Sequence, residues 1–200
     1  MISTNQMREL EDNCGISRLQ LMENAGRGIF KILKEKFELK DKKVLVVANH
    51  GNNGGDGFVA ARYLADICLV DVLFIGDESK FKEEAKINYK RIEKNKRIQV
   101  LYDAEEIDFE DYDIIIDAML GTGTQGPLKE PVRSIIKQIN SSKAFKLAID
   151  IPSGLNPDTG EIEDLAIEAD LIATFHDLKA GLEKHKDKTA IVDIGIKNGI

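Results

Sequence analysis

The fold is decided by residues 44–57, which read VLVVANHGNNGGDG. The first five residues are apolar without alternation, which indicates a strand buried on both faces, as in a parallel sheet covered by helices. Four glycines within residues 51–57 then interrupt the apolar run, and a helix is predicted over residues 58–67. The stretch therefore predicts a strand, a loop and a helix, which together form the repeating unit of α/β folds.

The same alternation continues on both sides of this stretch. Two N-terminal helices are predicted by capping boxes, in which Ser3 pairs with Gln6 and Ser17 pairs with Gln20. Gly26 lies on the apolar stripe of the second helix, where it would permit close approach of another backbone. Further strands are predicted over residues 69–75, 98–101, 114–118, 147–151, 171–175 and 190–194, and further helices over residues 80–95 and 132–140.

Alternating strands and helices predict a doubly wound α/β sandwich with right-handed crossovers. The 200 residues contain no internal repeat, low-complexity tract or Pro/Ser-rich linker, so a single domain over residues 1–200 is expected. The composition, 42% hydrophobic and 32% charged, is that of an ordinary globular protein. Cys14 and Cys68 have no metal-ligand spacing and are expected to be free thiols.

The charge balance disfavours two classes of partner. The chain has 28 basic and 35 acidic residues and a net charge of -7, which repels phosphate backbones and anionic lipids. No apolar run approaches the roughly 20 residues of a membrane-spanning helix. Residues 1–11 are polar and lack the apolar stretch of a secretion signal. We therefore expect a cytoplasmic protein that binds neither nucleic acid nor membrane.

Three predicted strands end abruptly in loops rich in Gly, Asn, Asp or Ser, over residues 44–57, 114–126 and 147–154. Ligands of open α/β sheets bind beyond the carboxyl ends of the strands, so the three loops are expected to converge on one crevice. The first loop could direct backbone amides and a helix N-terminus toward an anion, although it matches neither the Rossmann nor the P-loop spacing. A tight turn that needs positive φ is the simpler explanation, but seven consecutive turn-forming residues exceed what a turn requires.

The second and third loops each follow an acidic residue at the end of an apolar strand. Asp117 precedes residues 121–126, which could supply amides and hydroxyls to phosphates or form an ordinary surface loop. Asp150 precedes Pro152-Ser153-Gly154. An acid in such a position is costly unless it is paired, hydrogen bonded or bound to a cation. Each carboxylate could also simply cap the turn that follows it.

Four segments together carry a resemblance to a known family: LMENAG at residues 21–26, GNNGGDGFVAARYL at 51–64, DAMLGTG at 117–123 and IDIPSGLNPDTG at 149–160. The chain resembles the NAD(P)H-hydrate epimerase family, also called the YjeF N-terminal domain family, over essentially its whole length. The resemblance implies a Rossmann-like, three-layer α/β/α sandwich with a mostly parallel central sheet, usually homodimeric. It also implies an isomerase that interconverts the R and S forms of NADHX and NADPHX, the hydrated nicotinamide cofactors formed as metabolic damage.

The resemblance implies a set of site residues. A potassium ion, one per subunit, would be held by Asn53, Asp117 and Ser153, whose oxygens are hard donors suited to a hard cation. Many family members have a small pair such as Gly-Pro where this chain has Asn49-His50, which leaves fine substrate preference open. The dinucleotide would contact Asn52, Asn53, Gly54, Gly55, Asp56, Gly121, Thr122, Gly123, Thr124, Gln125, Gly126, Pro127 and Asp150.

The implied substrate needs a group that moves protons. Carbon 6 of the hydrate carries a hydroxyl and is bonded to the ring nitrogen, so it can lose water to an iminium or open to an aldehyde before closing on the other face. Partial burial would raise the pKa of an Asp within reach toward a useful range. Asp150 is the first candidate and Asp56 the second, while Lys179 could offer a cation to phosphate or to the reacting oxygen.

Two alternatives remain beside a stand-alone epimerase. The domain could be a non-catalytic nucleotide-binding or scaffold module, although degraded strand-end motifs would then be expected and Asn53, Asp56, Asp117, Asp150 and Ser153 are all present. The chain could also be the N-terminal part of a bifunctional protein, since many microbial members are fused to an ADP- or ATP-dependent NAD(P)H-hydrate dehydratase. Such a dehydratase is also an expected functional partner.

Overall fold

The computed structural model describes residues 1–123 and 126–197. In these ranges all strands join one parallel sheet in the order β3-β2-β1-β4-β5-β6-β7. The strands are β1 (Lys43–Ala48), β2 (Leu69–Phe74), β3 (Ile98–Leu101), β4 (Ile114–Ala118), β5 (Phe145–Ile149), β6 (Leu171–Phe175) and β7 (Thr189–Val192). The α-helices are α1 (Thr4–Asn13), α2 (Arg18–Lys36), α3 (Asn52–Leu64), α4 (Glu83–Glu93) and α5 (Val132–Ser141). Short 3-10 helices occupy Glu78–Lys80, Ala104–Glu106, Phe109–Asp111 and Ala180–Lys188.

The central strand β1 is buried on both faces, as its unbroken apolar sequence predicts. Val44 and Val46 pack into the core beneath α2, α3 and α4, whereas Leu45 and Val47 pack into the core on the other face. The three-layer α/β/α sandwich is thus confirmed. The second outer layer has less α-helix than the first, since it contains α5 together with irregular chain between β5 and β6 that buries Ile151, Leu155 and Ile167.

Helix α3 begins earlier than the sequence predicts. It begins at Asn52 rather than at residue 58, so the glycine-rich segment forms the first turns of a helix and not a loop. None of the glycines in this segment has a positive φ, and the tight-turn explanation is therefore wrong. A Cβ on Gly54 would lie 1.8 Å from the carbonyl oxygen of Asn49, and a Cβ on Gly57 would lie 2.6 Å from the Cβ of Ala118. These glycines let the helix lie directly against the ends of the central strands.

The apolar stripe of α2 packs against the rest of the chain. Its residues Leu21, Met22, Ala25, Ile29 and Leu33 are buried. A Cβ on Gly26 would lie 2.4 Å from the Cβ of Val59, so this glycine does permit the close approach of α3.

Other predicted boundaries differ by a few residues. The capping box at Ser3 is complete, but Gln20 donates to Asn24 instead of closing the second box, and only the Ser17 half is present. Strand β5 begins and ends two residues earlier than predicted, which still leaves Asp150 directly after it. Both Cys14 and Cys68 are free thiols, as expected.

Candidate functional site

A cavity of about 520 Å³ lies at the carboxyl ends of β1, β4 and β5, where the loops that follow these strands converge. Strand β1 pairs with both β2 and β4, so the chain reverses its direction of progression across the sheet at this point. In open α/β sheets a crevice at such a switch point is the usual place for a ligand. The convergence expected from the three strand ends is therefore observed.

The first turn of α3 borders this cavity. Gly51 is the N-cap residue and provides no side-chain hydrogen bond, so the first N–H groups of the helix have no side-chain cap. Asn52 lines the cavity, and its Oδ1 atom is buried without a hydrogen-bond partner within residues 1–123 and 126–197. The positive end of the α3 dipole and its N–H groups suit an anionic ligand such as a pyrophosphate.

Asp150 is held by a fully buried lysine. Its Oδ1 atom accepts hydrogen bonds from Lys179 Nζ at 2.6 Å, Thr174 Oγ1 at 3.1 Å and the Phe175 N–H at 3.2 Å. The Lys179 side chain has no solvent exposure, whereas that of Asp150 is 14% exposed toward the cavity. Asp150 also has a φ of 63°, a left-handed conformation that Asp tolerates better than most residues. The carboxylate is thus fixed in one orientation at the cavity wall.

A second acid faces the same cavity in a different electrostatic state. Asp56, on the second turn of α3, is buried, and its burial raises its pKa well above the ordinary value. The carboxylates of Asp150 and Glu11 raise this pKa further, whereas Lys179 lowers it. Asp150 therefore forms an ion pair beside an Asp56 that favours its protonated form. Two acids in different states are a common arrangement for proton transfer.

The three residues expected to hold a cation lie in one hydrogen-bonded network. Asp117 accepts from the Ser153 hydroxyl at 2.6 Å and from the Ser153 N–H at 2.7 Å. The Ser153 hydroxyl oxygen accepts from the Leu120 N–H at 2.9 Å, and Asn53 Nδ2 donates to the Leu120 carbonyl at 2.9 Å. Burial raises the pKa of Asp117 to about 6, although the hydrogen bonds from Ser153 and Met119 act against this shift. The network joins α3 to the loops after β4 and β5.

The donor set of this network suits a hard monovalent cation. It combines one carboxylate, one amide, one hydroxyl and one backbone carbonyl, all of them oxygen-bearing groups. The part of the chain that the structure describes contains no group of three or more His, Cys, Asp or Glu that could hold a metal ion. The buried charge of Asp117 is the observation that favours a cation here, because no basic side chain lowers its pKa.

The other predicted contact residues fall into separate groups. Gly54 and Gly55 are buried behind the cavity wall, where they pack against Asn49 and Met22. A second cavity, of about 550 Å³, lies on the far side of Gly121 and is lined in part by Gly126 and Ser153. Pro127 is exposed and is not part of either lining, and Thr124 and Gln125 lie outside the described residues. The first cavity is lined by Asn52, Asn53, Asp56, Gly121, Thr122, Gly123 and Asp150.

Helix α1 also contributes to the cavity, although no motif in its sequence indicates this. Thr4, Met7, Arg8 and Glu11 line the cavity; Met7 and Arg8 lie three and four residues after Thr4 and four and three before Glu11, so the four residues form one face of the helix. The spacing of these residues is the only signal in the sequence that could indicate this face. Arg18, Lys80 and Lys82 also line the cavity.

His50 forms part of the cavity wall at the position where the chain departs from the family pattern. Its Nδ1 atom accepts a hydrogen bond from the Asp77 N–H at 3.2 Å. Burial, and then the nearby Lys80, lower the pKa of His50. The ring is therefore largely neutral near pH 7 and adds little positive charge to this end of the cavity.

Residues 18–181 match the model of the family described as YjeF-related protein N-terminus. The chain is 45% identical to a protein of Archaeoglobus fulgidus named bifunctional NAD(P)H-hydrate repair enzyme Nnr, over 98% of this chain and 41% of that protein. It is 38% identical to the NAD(P)H-hydrate epimerase of Nitrosopumilus maritimus, over 94% of this chain and 90% of that protein. The crystal structure of the yeast protein ynu0 is similar with a TM-score of 0.83 and 25% identity, over 96% of this chain and 86% of that one.

The relatives differ in length. This chain spans about two fifths of the Archaeoglobus fulgidus protein but nearly all of the Nitrosopumilus maritimus protein. Among the described residues, no helix has both the length and the apolar character needed to cross a bilayer.

Proposed function

Because the chain belongs to the family of YjeF-related protein N-terminal domains, we propose that it is an NAD(P)H-hydrate epimerase that interconverts the R and S forms of NADHX and NADPHX. The observation that carries the proposal is the pair Asp56 and Asp150 at one cavity wall, where Asp150 is paired with Lys179 and burial raises the pKa of Asp56. The epimerase name of a full-length relative supports the same activity.

The cavity has features that suit a dinucleotide. Its volume of about 520 Å³ lies within the common range for small-molecule sites. The uncapped N–H groups at the start of α3 would bind the pyrophosphate, and Gly121, Thr122 and Gly123 would border it on the side of β4. The hydrated ring would then lie toward Asp56 and Asp150, which share the wall of the same cavity.

The two acids can serve either chemical route. In the iminium route Asp56 protonates the departing hydroxyl, which leaves carbon 6 as water, and Asp150 takes a proton from the water that adds on the other face. In the ring-opening route Asp150 takes the hydroxyl proton as the bond from carbon 6 to nitrogen breaks, and Asp56 protonates the nitrogen. Closure on the opposite face reverses these transfers. Lys179 keeps the Asp150 carboxylate oriented toward the reacting carbon.

The proposal includes a potassium ion held by Asn53, Asp117 and Ser153. When bound, the ion supplies a positive charge close to the dinucleotide phosphates. The buried charge of Asp117 and the four oxygen-bearing groups around Leu120 support this site. Asn53 also lines the dinucleotide cavity, so the cation site and the substrate site share one residue.

The oligomeric state, location and partners belong to the same proposal. A homodimer is supported by the family resemblance alone, and light scattering should then give about twice the chain mass of 22.3 kDa. A mass of one chain at micromolar concentration would contradict it. A cytoplasmic location is part of the proposal. Functional pairing with an ADP- or ATP-dependent NAD(P)H-hydrate dehydratase is supported by relatives named bifunctional repair enzymes.

The test supplies the purified chain with the R form of NADHX, and separately of NADPHX, in the presence of potassium. Chromatography should show the S form appearing faster than it does without protein. Binding of the dinucleotide without any acceleration, by folded protein, would favour the scaffold alternative instead.

A further inference from the structure

A second, smaller cavity of about 50 Å³ adjoins the proposed active site. Glu11, Arg18, Asn52 and Asp56 line both this cavity and the large one. We propose that Glu11 relays protons between Asp56 and solvent through the small cavity, an inference that rests on the proposed epimerase function. Glu11 is thus a relay residue that acts through Asp56, and it has no role in the family resemblance.

The N-terminal segment places Glu11 beside the reacting groups. The Ile2 N–H donates to the Leu178 carbonyl at 2.9 Å, so the segment before α1 pairs with the chain that carries Lys179. Ser3 then caps α1, and Thr4 donates to Asp158 from both its N–H and its hydroxyl. These contacts fix the start of the helix, and Glu11 lies two turns further along, on the face that lines the cavity.

The small cavity can hold water. A space of about 50 Å³ is large enough for a single water molecule, which occupies about 30 Å³ in the liquid. Its lining includes Glu11, Asp56, Arg18, which pairs with Asp12, and Asn52, whose buried Oδ1 has no hydrogen-bond partner among residues 1–123 and 126–197. A water there would have enough polar partners to be ordered, and it would bridge the two acids.

The iminium route creates a need for this relay. One turnover by that route converts a protonated Asp56 and an ionised Asp150 into an ionised Asp56 and a protonated Asp150, whereas ring opening and closure return both acids to their starting forms, so the relay applies to the iminium route. Before the next turnover in the same direction, Asp150 must release its proton and Asp56 must regain one. Asp150 can release its proton into the open cavity, whereas Asp56, which lines the same cavity, is buried and also lines the small cavity, which Asp150 does not. The water in the small cavity gives a proton to Asp56 and receives one from Glu11, which regains a proton from solvent.

The charges around Glu11 favour this exchange. Burial, then the charge of Asp150, raise the pKa of Glu11, whereas Arg18 and Lys179 lower it. Asp56 from α3 and Glu84 from α4 also face the small cavity, and Asp12 lies next to Glu11 on α1. Because its pKa is raised, Glu11 carries a proton up to higher pH than an ordinary Glu does and can supply it to Asp56, whose pKa is raised as well.

The test compares Glu11→Gln with Glu9→Gln, an exposed acid on the same helix that does not line the cavity. In dilute buffer, Glu11→Gln should lower kcat roughly 10-fold or more and leave KM nearly unchanged, while Glu9→Gln should behave like wild type. Glu11→Ala should regain activity in proportion to added formate, which can enter the space that the side chain leaves. Glu11→Asp should retain part of the activity, because it keeps a carboxyl group.

The other possible outcomes would contradict either the relay role of Glu11 or the proposed epimerase function. A raised KM with unchanged kcat would make Glu11 a contact to the dinucleotide only. A lowered kcat that formate does not restore, in a variant with the thermal stability of wild type, would make its role structural. Wild-type kcat in Glu11→Gln would remove the relay but leave the epimerase proposal in place. Absence of epimerisation by the wild-type protein would instead reject the proposed function itself.

Discussion

Replacing Asp150 with asparagine separates proton transfer from ligand binding at one atom. Asparagine keeps the size of the side chain, tolerates the φ of 63° at this position and still offers an oxygen to Lys179, Thr174 and Phe175. It removes only the group that can take and return a proton. We expect Asp150→Asn to bind dinucleotide nearly as well as wild type and to epimerise roughly 10²- to 10⁴-fold more slowly.

The structure also sets the expected loss of stability. Removing one partner of a buried ion pair costs about 3–5 kcal/mol. The asparagine oxygen recovers part of this cost, because a hydrogen bond to a charged group contributes about 1.5–3 kcal/mol. A net loss between about 0 and 3.5 kcal/mol follows, and for a chain of this size it lowers Tm by at most roughly 14 °C. The variant should therefore be folded at the assay temperature, which thermal unfolding can verify.

The assay measures kcat at saturating substrate by chromatography, with the spontaneous rate subtracted, and measures dinucleotide affinity by calorimetry. Thr174→Val is the matched control, because it removes one hydrogen bond to the same carboxylate oxygen but keeps the carboxylate. Weaker binding with unchanged kcat in Asp150→Asn would show that Asp150 only orients the ligand. Wild-type turnover in this variant would refute the proton-transfer role and transfer it to Asp56 or Lys179.

Three further substitutions test the account. Gly54→Ala should lower the free energy of unfolding in urea by about 3 kcal/mol, because the new Cβ meets the Asn49 carbonyl. Gly51→Ala, which has open space around it, should leave this free energy nearly unchanged. Equal effects of the two substitutions would contradict the packing argument. Burial raises the pKa of Asp56, so the protonated side chain contributes stability below pH 3.8, and this contribution is lost as the pH rises through the folded-state pKa. Between these two pKa values, the stability of Asp56→Asn relative to wild type should rise by up to about 1.4 kcal/mol per pH unit. A difference in stability that does not change with pH would refute the pKa shift. Potassium should raise the Tm of wild type more than choline does, and an equal rise in Asp117→Asn would argue against the cation site.

The positions of the strands and the burial of β1 on both faces could be predicted from the sequence, because they depend on local patterns of apolar residues. The bounds of β3, β4 and β6 agree with the prediction, since each is a short apolar run between polar residues. Helix α3 was predicted to begin six residues too late, because glycines at residues 51–57 are typical of a loop. Gly54, Gly55 and Gly57 instead allow close contacts with Asn49, Met22 and Ala118 respectively, and the last two contacts belong to the tertiary structure.

The site could be predicted only in part, because some of its contacts join residues that are distant in the sequence. Asp117 and Asp150 were predicted because each lies where a strand ends, which is a local signal, whereas the role of Ser153 was implied by the family resemblance. The contact between Asp150 and Lys179 joins residues that are 29 positions apart, and no sequence pattern indicates it. Glu11 was missed because its helix reaches the site through the pairing of Ile2 with the chain near Lys179.

The central claim is tested most directly by approaching equilibrium from both sides. Pure R and pure S forms of NADHX are incubated separately with the protein and potassium, and the two forms are separated by chromatography over time. The account predicts that both mixtures reach the same ratio of R to S at rates that increase in proportion to protein concentration. Progress curves that match those without protein, from a folded sample that still binds dinucleotide, would contradict it.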